Sequence, residues 1–140
     1  MLIDLFRGKW KQDDELPHNF VEFMDAAGIS KDLQSQVSQI RYINDFEGDG
    51  DKWVYKISIE GMPEAKIYPF KFDESYSSTD FFGSPFTCVV TKLADNKIQE
   101  TITQSAGQNM VVVKTIENDS NMSTVTTAGG VTCVIKFTKM

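Results

Sequence analysis

The residue types that perform chemistry are few in this chain of 140 residues. It contains a single histidine, His18, which excludes a metal site built from several histidines. Its two cysteines, Cys88 and Cys133, lie far apart in the sequence, and we interpret them as free, buried thiols. The sequence contains no nucleophile elbow, phosphate-binding loop or cluster with metal-ligand spacing. We therefore predict no catalytic residues, no metal and no cofactor.

One cation stands out because it interrupts an apolar run. Lys114 follows Met110-Val111-Val112-Val113, and a charge admitted by such a run suggests a functional group. A lysine on the outer face of a strand, or one beyond its end, would give the same pattern. An inward lysine needs a partner, because burial disfavours the charged form. Glu100 or a ligand carboxylate is the candidate partner, although Glu100 could equally be an exposed strand residue.

The composition limits the class of protein. Lys and Arg number 14 and Asp and Glu 20, for a net charge of −6, which argues against a nucleic-acid partner. No apolar run approaches the roughly 20 residues of a membrane-spanning helix, so we predict no stable membrane insertion. The N-terminus lacks the apolar segment of a secretory signal. We expect a cytoplasmic protein with a single domain over residues 1–140.

Two short helices are predicted near the N-terminus. Pro17 suits the first turn of the first helix, and Gly28 suits its end, because glycine adopts the left-handed conformation without steric cost. Ser30 is a plausible N-cap for a second helix that reaches Ile40. The apolar face of the first helix has helical spacing and comprises Leu16, Phe20, Phe23, Met24 and Ala27.

From residue 41 onward the hydrophobic period is two, which is typical of strands. Together with a short first strand, this pattern predicts about ten closely spaced strands, and such a meander commonly closes into a barrel. Several strands carry polar residues that fit a partly wet cavity better than a packed sandwich. The predicted strands cover residues 8–11, the region of Tyr42, 53–60, 70–72, 86–90, 98–102, 110–116, 122–127 and 131–137, with turns that include Gly48-Asp49-Gly50 and Ala106-Gly107.

The order of these elements resembles the intracellular fatty-acid-binding protein family. Residues 19–28, with their Asn-Phe, Met and Gly, carry the most specific part of the likeness. The remaining motifs extend it over essentially the whole chain and are Gly8-Lys9-Trp10-Lys11, Phe72-Asp73-Glu74, Asp95-Asn96-Lys97 and residues 131–139. The resemblance implies an all-β, antiparallel up-and-down barrel of ten strands, capped by a helix-turn-helix lid, that carries hydrophobic ligands in the cytosol.

The sequence departs from this family where many members hold a ligand carboxylate. Those members use an Arg and a Tyr two residues apart on the last strand, positions that correspond here to Ile135 and Phe137. The family's additional Arg on the eighth strand corresponds to Lys114, which lacks the bidentate fork of an arginine. Matching the turn at Asp95-Asn96-Lys97 places Glu100 on an inward face.

We therefore predict a monomeric carrier that binds and solubilises a hydrophobic ligand inside the barrel, with a long-chain fatty acid as the favoured ligand. The alternatives are a carrier for a bulkier lipid, such as a retinoid or a bile-acid-like or sterol-like molecule, a secreted lipocalin-type binder, and a lipid-modifying enzyme. Phe20 and Met24 either touch the ligand or simply pack the lid onto the barrel, and both can hold. The predicted ligand-binding residues are Phe20, Met24, Tyr55, Glu100, Met110, Val112, Lys114, Ile135 and Phe137.

Overall fold

A computed structural model describes residues 2–104 and 109–140. A short 3₁₀-helix precedes the first strand, and two α-helices separate that strand from the remaining strands. The elements are the 3₁₀-helix Leu2–Phe6, β1 Gly8–Gln12, α1 Phe20–Ala26, α2 Lys31–Val37, β2 Tyr42–Asp49, β3 Lys52–Ile59, β4 Ala65–Lys71, β5 Ser75–Thr79, β6 Pro85–Ala94, β7 Lys97–Gln104, β8 Met110–Ile116, β9 Asn121–Ala128 and β10 Val131–Lys139.

The ten strands form one antiparallel sheet in the order β4-β3-β2-β1-β10-β9-β8-β7-β6-β5. Neighbours in the sheet are neighbours in the sequence except at β1, which pairs with β2 on one side and with β10 on the other. The sheet curls until its two edges, β4 and β5, face each other. The Tyr68 hydroxyl donates to the Thr79 carbonyl across this gap at 2.9 Å, and Lys66 Nζ donates to the Thr79 hydroxyl at 3.1 Å. The result is the nearly closed barrel expected from the sequence.

One end of the barrel is filled by side chains, and we call it the packed end. Trp10 is completely buried there, and its indole N–H donates to the Phe6 carbonyl oxygen at 3.0 Å. The Phe6 ring meets Phe46 edge to face, with centroids 5.6 Å apart. The packed end comprises Phe6, Trp10, Phe46, Trp53, Phe70, Val90, Ile98, Ile116 and Met122.

The helix-turn-helix covers the opposite end, which we call the lid end. Gly28 turns the chain between the helices with a φ of +80°, and the Ser30 hydroxyl caps α2 by accepting from the Leu33 N–H at 3.3 Å. Both roles were predicted from the sequence. The helix α1 is fixed to the barrel at the turn between β9 and β10, where the Asn19 amide donates to the Thr132 carbonyl at 2.8 Å.

Close packing at that turn requires a glycine. Gly129 has a φ of +56°, and a Cβ atom on it would lie 2.4 Å from the carbonyl oxygen of Ala26. The turn therefore approaches the C-terminal end of α1 more closely than any side chain would allow. On the inner side of α1, Phe20, Phe23 and Met24 pack against Ala128 and Cys133.

Several predicted boundaries were wrong. Leu16 and Pro17 precede the first helix, which begins only at Phe20, and α2 ends at Val37 rather than Ile40. The strand β5 was not predicted, because its sequence, Ser-Tyr-Ser-Ser-Thr, contains a single large apolar residue. Residues 70–72 correspond to the end of the longer strand β4, in which Pro69 is tolerated because β4 is an edge strand. The predicted turn at Ala106-Gly107 lies outside the described residues.

Candidate functional site

A cavity of about 560 Å³ lies between the helices and the inner faces of the strands, above the packed end. Its wall is mostly apolar and aromatic, with a few polar groups, which is the usual composition of a pocket for a small organic ligand. All the residues that the sequence predicted for ligand binding lie on this wall, namely Phe20, Met24, Tyr55, Glu100, Met110, Val112, Lys114, Ile135 and Phe137.

The main polar feature of the wall is a buried ion pair. Lys114 Nζ lies 2.7 Å from Glu100 Oε1 and 3.2 Å from Oε2, and the side chains are only 4% and 7% exposed. The same Nζ donates to the Tyr55 hydroxyl at 3.2 Å and lies 4.7 Å from the centre of the Tyr55 ring. Both charged groups thus face the cavity, and each has a partner within the protein.

The register of β7 and β8 brings this pair together. Ile98 is opposite Lys114 and Glu100 is opposite Val112, so the charged residues are diagonal neighbours on one face of the sheet. Tyr55 reaches them from β3, on the far side of the cavity. Its ring stacks on Phe46 at 4.7 Å, with the two planes 1° apart. The tyrosine thereby connects the polar site to the packed end.

A second polar group on this wall has no partner. The side chain of Thr124 lies directly opposite Lys114 in the β8–β9 ladder and is buried. In the described part of the chain, no hydrogen-bond partner lies within reach of its hydroxyl oxygen. An unpaired buried hydroxyl is costly. Thr124 is therefore a polar residue of the cavity wall whose hydrogen-bonding capacity is not used by the described protein atoms.

Burial raises the pKa values of the other ionisable groups on this part of the wall, which are neutral near pH 7 in any case. Loss of solvation raises the pKa of the Tyr55 phenol well above its usual range, and the nearby Glu100 carboxylate adds to the effect. Burial also raises the pKa of the Cys88 thiol to about 12 and that of the Tyr68 phenol to about 12. The pKa of Tyr76 rises for the same reason. Near neutral pH, the formal charges in this part of the cavity are therefore those of Lys114 and Glu100 among the described residues.

The mouth of the cavity lies between α2 and the turn that joins β5 to β6. Leu33 and Val37 of α2 face the cavity on one side, and Phe81 and Phe82 of the turn face it on the other. Phe82 remains 40% exposed, although it is a large apolar residue. This arrangement gives a hydrophobic molecule an apolar path between solvent and the interior.

Several polar and aromatic wall residues were not predicted. Gln12 and Asn44 are buried on the wall, and Thr124 was noted only as a polar strand residue. The alternation of Met122, Thr124, Thr126 and Ala128 along β9 is the sequence signal that could have assigned Thr124 to the inner face. Tyr42 and Tyr68 could have been found in the same way, whereas Tyr76 lies on β5, whose sequence has no periodic apolar face.

In the described ranges, no group of three or more His, Cys, Asp or Glu side chains could hold a metal ion. No helix over these residues has the length and apolar character needed to cross a membrane.

No family model matches this sequence. A fatty acid-binding protein of Schistosoma japonicum is 28% identical over 135 residues, which cover 96% of this chain and 98% of the relative. Among solved structures, the fatty acid binding protein of Schistosoma mansoni in complex with arachidonic acid superposes with a TM-score of 0.88 at 24% identity, over 100% of this chain and 99% of its own. The resemblance to the fatty-acid-binding proteins is confirmed. The described residues of this chain have their fold.

The same fold also occurs in proteins with other names. The secretory abundant heat soluble protein 4 of Ramazzottius varieornatus superposes with a TM-score of 0.85 at 20% identity, over 98% of this chain and 96% of its own. Because one fold can serve several functions, the case for a function has to come from the site.

Within the fatty-acid-binding-protein fold, this chain is distinguished by the polar part of its cavity wall. Ile135 and Phe137, at the positions of the expected Arg and Tyr, lie on the inner face of β10 and contribute apolar surface. Lys114 lies on the eighth strand, as the resemblance implied, but its charge is already matched by Glu100. The site thus offers a ligand no free cation among the described residues of this wall.

Proposed function

We propose that this protein is a carrier that binds a long-chain fatty acid or a closely similar lipid inside the barrel and returns it unchanged. The observation that supports this most directly is the cavity of about 560 Å³, which is closed at the packed end and has an apolar mouth at the lid end. The similarity to fatty acid-binding proteins, one of them solved with arachidonic acid, supports the same ligand class.

Burial of the acyl chain would provide most of the affinity. Each methylene group removed from water contributes about 0.8 kcal/mol. About 15 methylene groups therefore give on the order of 12 kcal/mol before the costs of ordering the ligand are subtracted. The apolar wall residues that we assign to chain contact are Phe20, Met24, Met110, Val112, Ile135 and Phe137. In this proposal Tyr55, Glu100 and Lys114 contact the head group.

We further propose that the carrier acts as a monomer in the cytoplasm and makes or breaks no covalent bond. The buried, unpaired thiols Cys88 and Cys133 support a reducing compartment. The proposal that no reaction is catalysed is supported by the head-group site, where the carboxylate and the amine neutralise each other.

The proposal is tested with delipidated protein and a fluorescent fatty-acid probe. Unlabelled C16 to C20 fatty acids should displace the probe with submicromolar affinity, whereas retinol and cholate, which represent bulkier lipids, should compete at least about tenfold less well. Mass spectrometry of the ligand extracted after prolonged incubation should return the molecule that was added. Failure of every acyl ligand to displace the probe would refute the carrier function, and a converted ligand would indicate an enzyme.

A further inference from the structure

The ion pair inside the cavity restricts the kind of head group that can bind. Lys114 and Glu100 together carry no net charge, and their closest atoms are 2.7 Å apart. A ligand carboxylate that approaches Lys114 must therefore also approach Glu100. At such distances the attraction to the amine and the repulsion from the carboxylate are of similar size. The cost of removing the ligand carboxylate from water would then remain uncompensated.

An uncharged head group finds suitable partners in the same place. The Thr124 side chain lines the cavity, and its buried hydroxyl has no partner in the described residues. The Tyr55 hydroxyl accepts a hydrogen bond from Lys114, which leaves its own proton to donate. These two hydroxyls can both donate to and accept from an alcohol, an amide or a protonated carboxyl group, and none of these adds charge to the site.

We propose that this site binds its ligand at constant net charge: long-chain lipids with a hydroxyl or amide head group bind directly, and a fatty acid binds together with one proton. This inference rests on the proposed carrier function and specifies the head-group chemistry of the same cavity. The proton is shared within the group formed by the ligand carboxyl, Glu100 and Lys114, so that the summed charge of the three stays at zero.

The groups that face this cluster from the other strands around the cavity do not compete for the proton. They are Tyr55 on β3, Tyr68 on β4, Tyr76 on β5 and Cys88 on β6, which are neutral in the physiological range, and burial raises the pKa of each further. Asp80 lies at the cavity mouth, in the turn after β5. An acid and an alcohol of the same chain length both pass Asp80, but only the acid has a titratable head group. A difference between the two ligands in proton uptake therefore reports on the cluster and not on Asp80.

The test is calorimetric titration of delipidated protein with dodecanoic acid and with 1-dodecanol. At pH 7.4, in buffers of different ionisation enthalpy, the acid should take up about one proton and the alcohol none. The affinity for the acid should rise about tenfold per pH unit as the pH falls from 8 to 6, while that for the alcohol stays constant. Uptake of no proton, together with tighter binding of the acid than of the alcohol, would overturn the proposal.

Glu100→Gln provides the decisive variant, because it removes the internal anion and frees Lys114. It should bind dodecanoate at least about tenfold more tightly than the wild type at pH 7.4, and the ratio of its affinities for dodecanoate and 1-dodecanol should rise by a similar factor. Glu117→Gln is the matched control, since Glu117 pairs with Lys136 at 2.9 Å on the outer surface. It should bind both ligands as the wild type does.

Thr124→Val tests the second half of the proposal without altering the charges. It should weaken binding of 1-dodecanol about fivefold, because one hydrogen bond to the head group is lost. An unchanged affinity in Thr124→Val, or a Glu100→Gln variant whose acid binding matches the wild type, would contradict the head-group assignment. Loss of binding for both ligands in the wild type would instead refute the carrier function itself.

Discussion

The two ends of the barrel are built on the same strands but serve different purposes. At the packed end, aromatic and aliphatic side chains such as Trp10, Phe46 and Met122 fill the interior. At the lid end, the same strands surround a cavity. In the described ranges, the buried polar residues lie on the cavity wall, with the exception of Gln34 in the lid, and they are Gln12, Asn44, Glu100, Lys114, Thr124 and Thr126.

This contrast indicates how the barrel stays folded around an empty space. A void lined by side chains forfeits the dispersion contacts that a filled core provides. The packed end therefore has to supply most of the stability, and the lid end can use its wall residues to contact a ligand. Variants at matched positions of the two ends test this division directly.

The largest difference is expected between two isoleucine substitutions. Ile98→Ala at the packed end should lower the free energy of unfolding by about 3 to 5 kcal/mol, because Ile98 is 2% exposed and the vacated space is enclosed by packed neighbours. Ile135→Ala on the cavity wall should cost about 2 kcal/mol or less, because its side chain already borders a void. Urea denaturation measures both values.

Ligand affinity should show the opposite order. Ile135→Ala should weaken binding of a fatty acid several-fold, and Ile98→Ala should leave it unchanged under conditions where the variant is folded. Equal losses of stability for the two variants would refute the division between the two ends.

The ion pair is the exception to the modest stability expected of the lid end. Lys114→Met leaves Glu100 buried without its partner and should lower the free energy of unfolding by about 3 kcal/mol at pH 7. This value lies in the lower part of the range for a broken buried ion pair, because Glu100 borders the cavity. The double variant Glu100→Gln/Lys114→Met should recover to within about 1 kcal/mol of the wild type. Thermal and urea unfolding at pH 7 give the comparison.

An exposed pair serves as the control for this effect. Lys136→Met breaks the surface pair with Glu117 and should cost no more than about 1 kcal/mol. A double variant as unstable as Lys114→Met would show that the lost lysine stem, rather than the unpaired charge, causes the destabilisation.

The attachment of α1 should be sensitive to one methyl group. Gly129→Ala places a Cβ atom against the Ala26 carbonyl oxygen. It should lower the free energy of unfolding by about 2 to 3 kcal/mol, because it combines a steric clash with a strained backbone. Gly130→Ala is matched to it, because Gly130 also has a positive φ, of +81°, but has no atom within 4 Å of the added methyl. Gly130→Ala should lower the free energy of unfolding by only about 1 kcal/mol.

Hydrogen exchange shows where Gly129→Ala acts. Exchange should accelerate in α1, and the packed end should keep its protection. Equal losses of stability in Gly129→Ala and Gly130→Ala would mean that α1 does not depend on this close approach.

The buried thiols predict a loss of stability at alkaline pH. Burial raises the pKa of Cys133 to about 11 and that of Cys88 to about 12, whereas an unfolded cysteine titrates near pH 8.5. Between these values the unfolded chain releases thiol protons that the folded chain retains, so stability must fall as the pH rises. Unfolding in urea with a reductant should become easier from pH 8.5 to pH 10, by about 2 to 3 kcal/mol for the two thiols together.

The variant Cys88→Ala/Cys133→Ala should reduce this slope, and below pH 8 the two proteins should show the same dependence on pH. An identical slope above pH 8.5 in both proteins would assign the alkaline loss of stability to other groups.

The smallest effect is expected from vesicles. The lid exposes Glu22 and Asp32, and its one lysine, Lys31, is paired with Asp25 at 2.8 Å. An acidic lid is repelled by anionic lipid over about 8 to 10 Å at physiological salt. Transfer of a fluorescent fatty acid to vesicles should therefore proceed through water, at a rate that does not depend on vesicle concentration. A rate that rises with anionic vesicles and falls with salt would show docking through another surface.

The sequence predicted the architecture better than it predicted the site. Helical spacing around Phe20, the turn at Gly28 and the cap at Ser30 are local signals, and all three were confirmed. The strand β5 was missed because an edge strand rich in serine has no periodic apolar face. The contact between Lys114 and Glu100 depends on the register of β7 and β8, which an error of one residue would have reversed. The sequence could propose that pair as partners, but only the register shows that the charges neutralise each other.

The pairing of β1 with β10 has a consequence for the synthesis of the protein. Trp10 lies opposite Lys139, so the first strand finds one of its two neighbours only when the last residues have been made. The other ladders join strands that follow one another in sequence, as hairpins from β2 onward and across the two helices between β1 and β2. Closing so long a loop carries the largest entropic cost in the sheet and slows folding. We therefore expect the hairpins to form first and the barrel to close last, once β10 is available to β1, so that the ligand is acquired only after this closure.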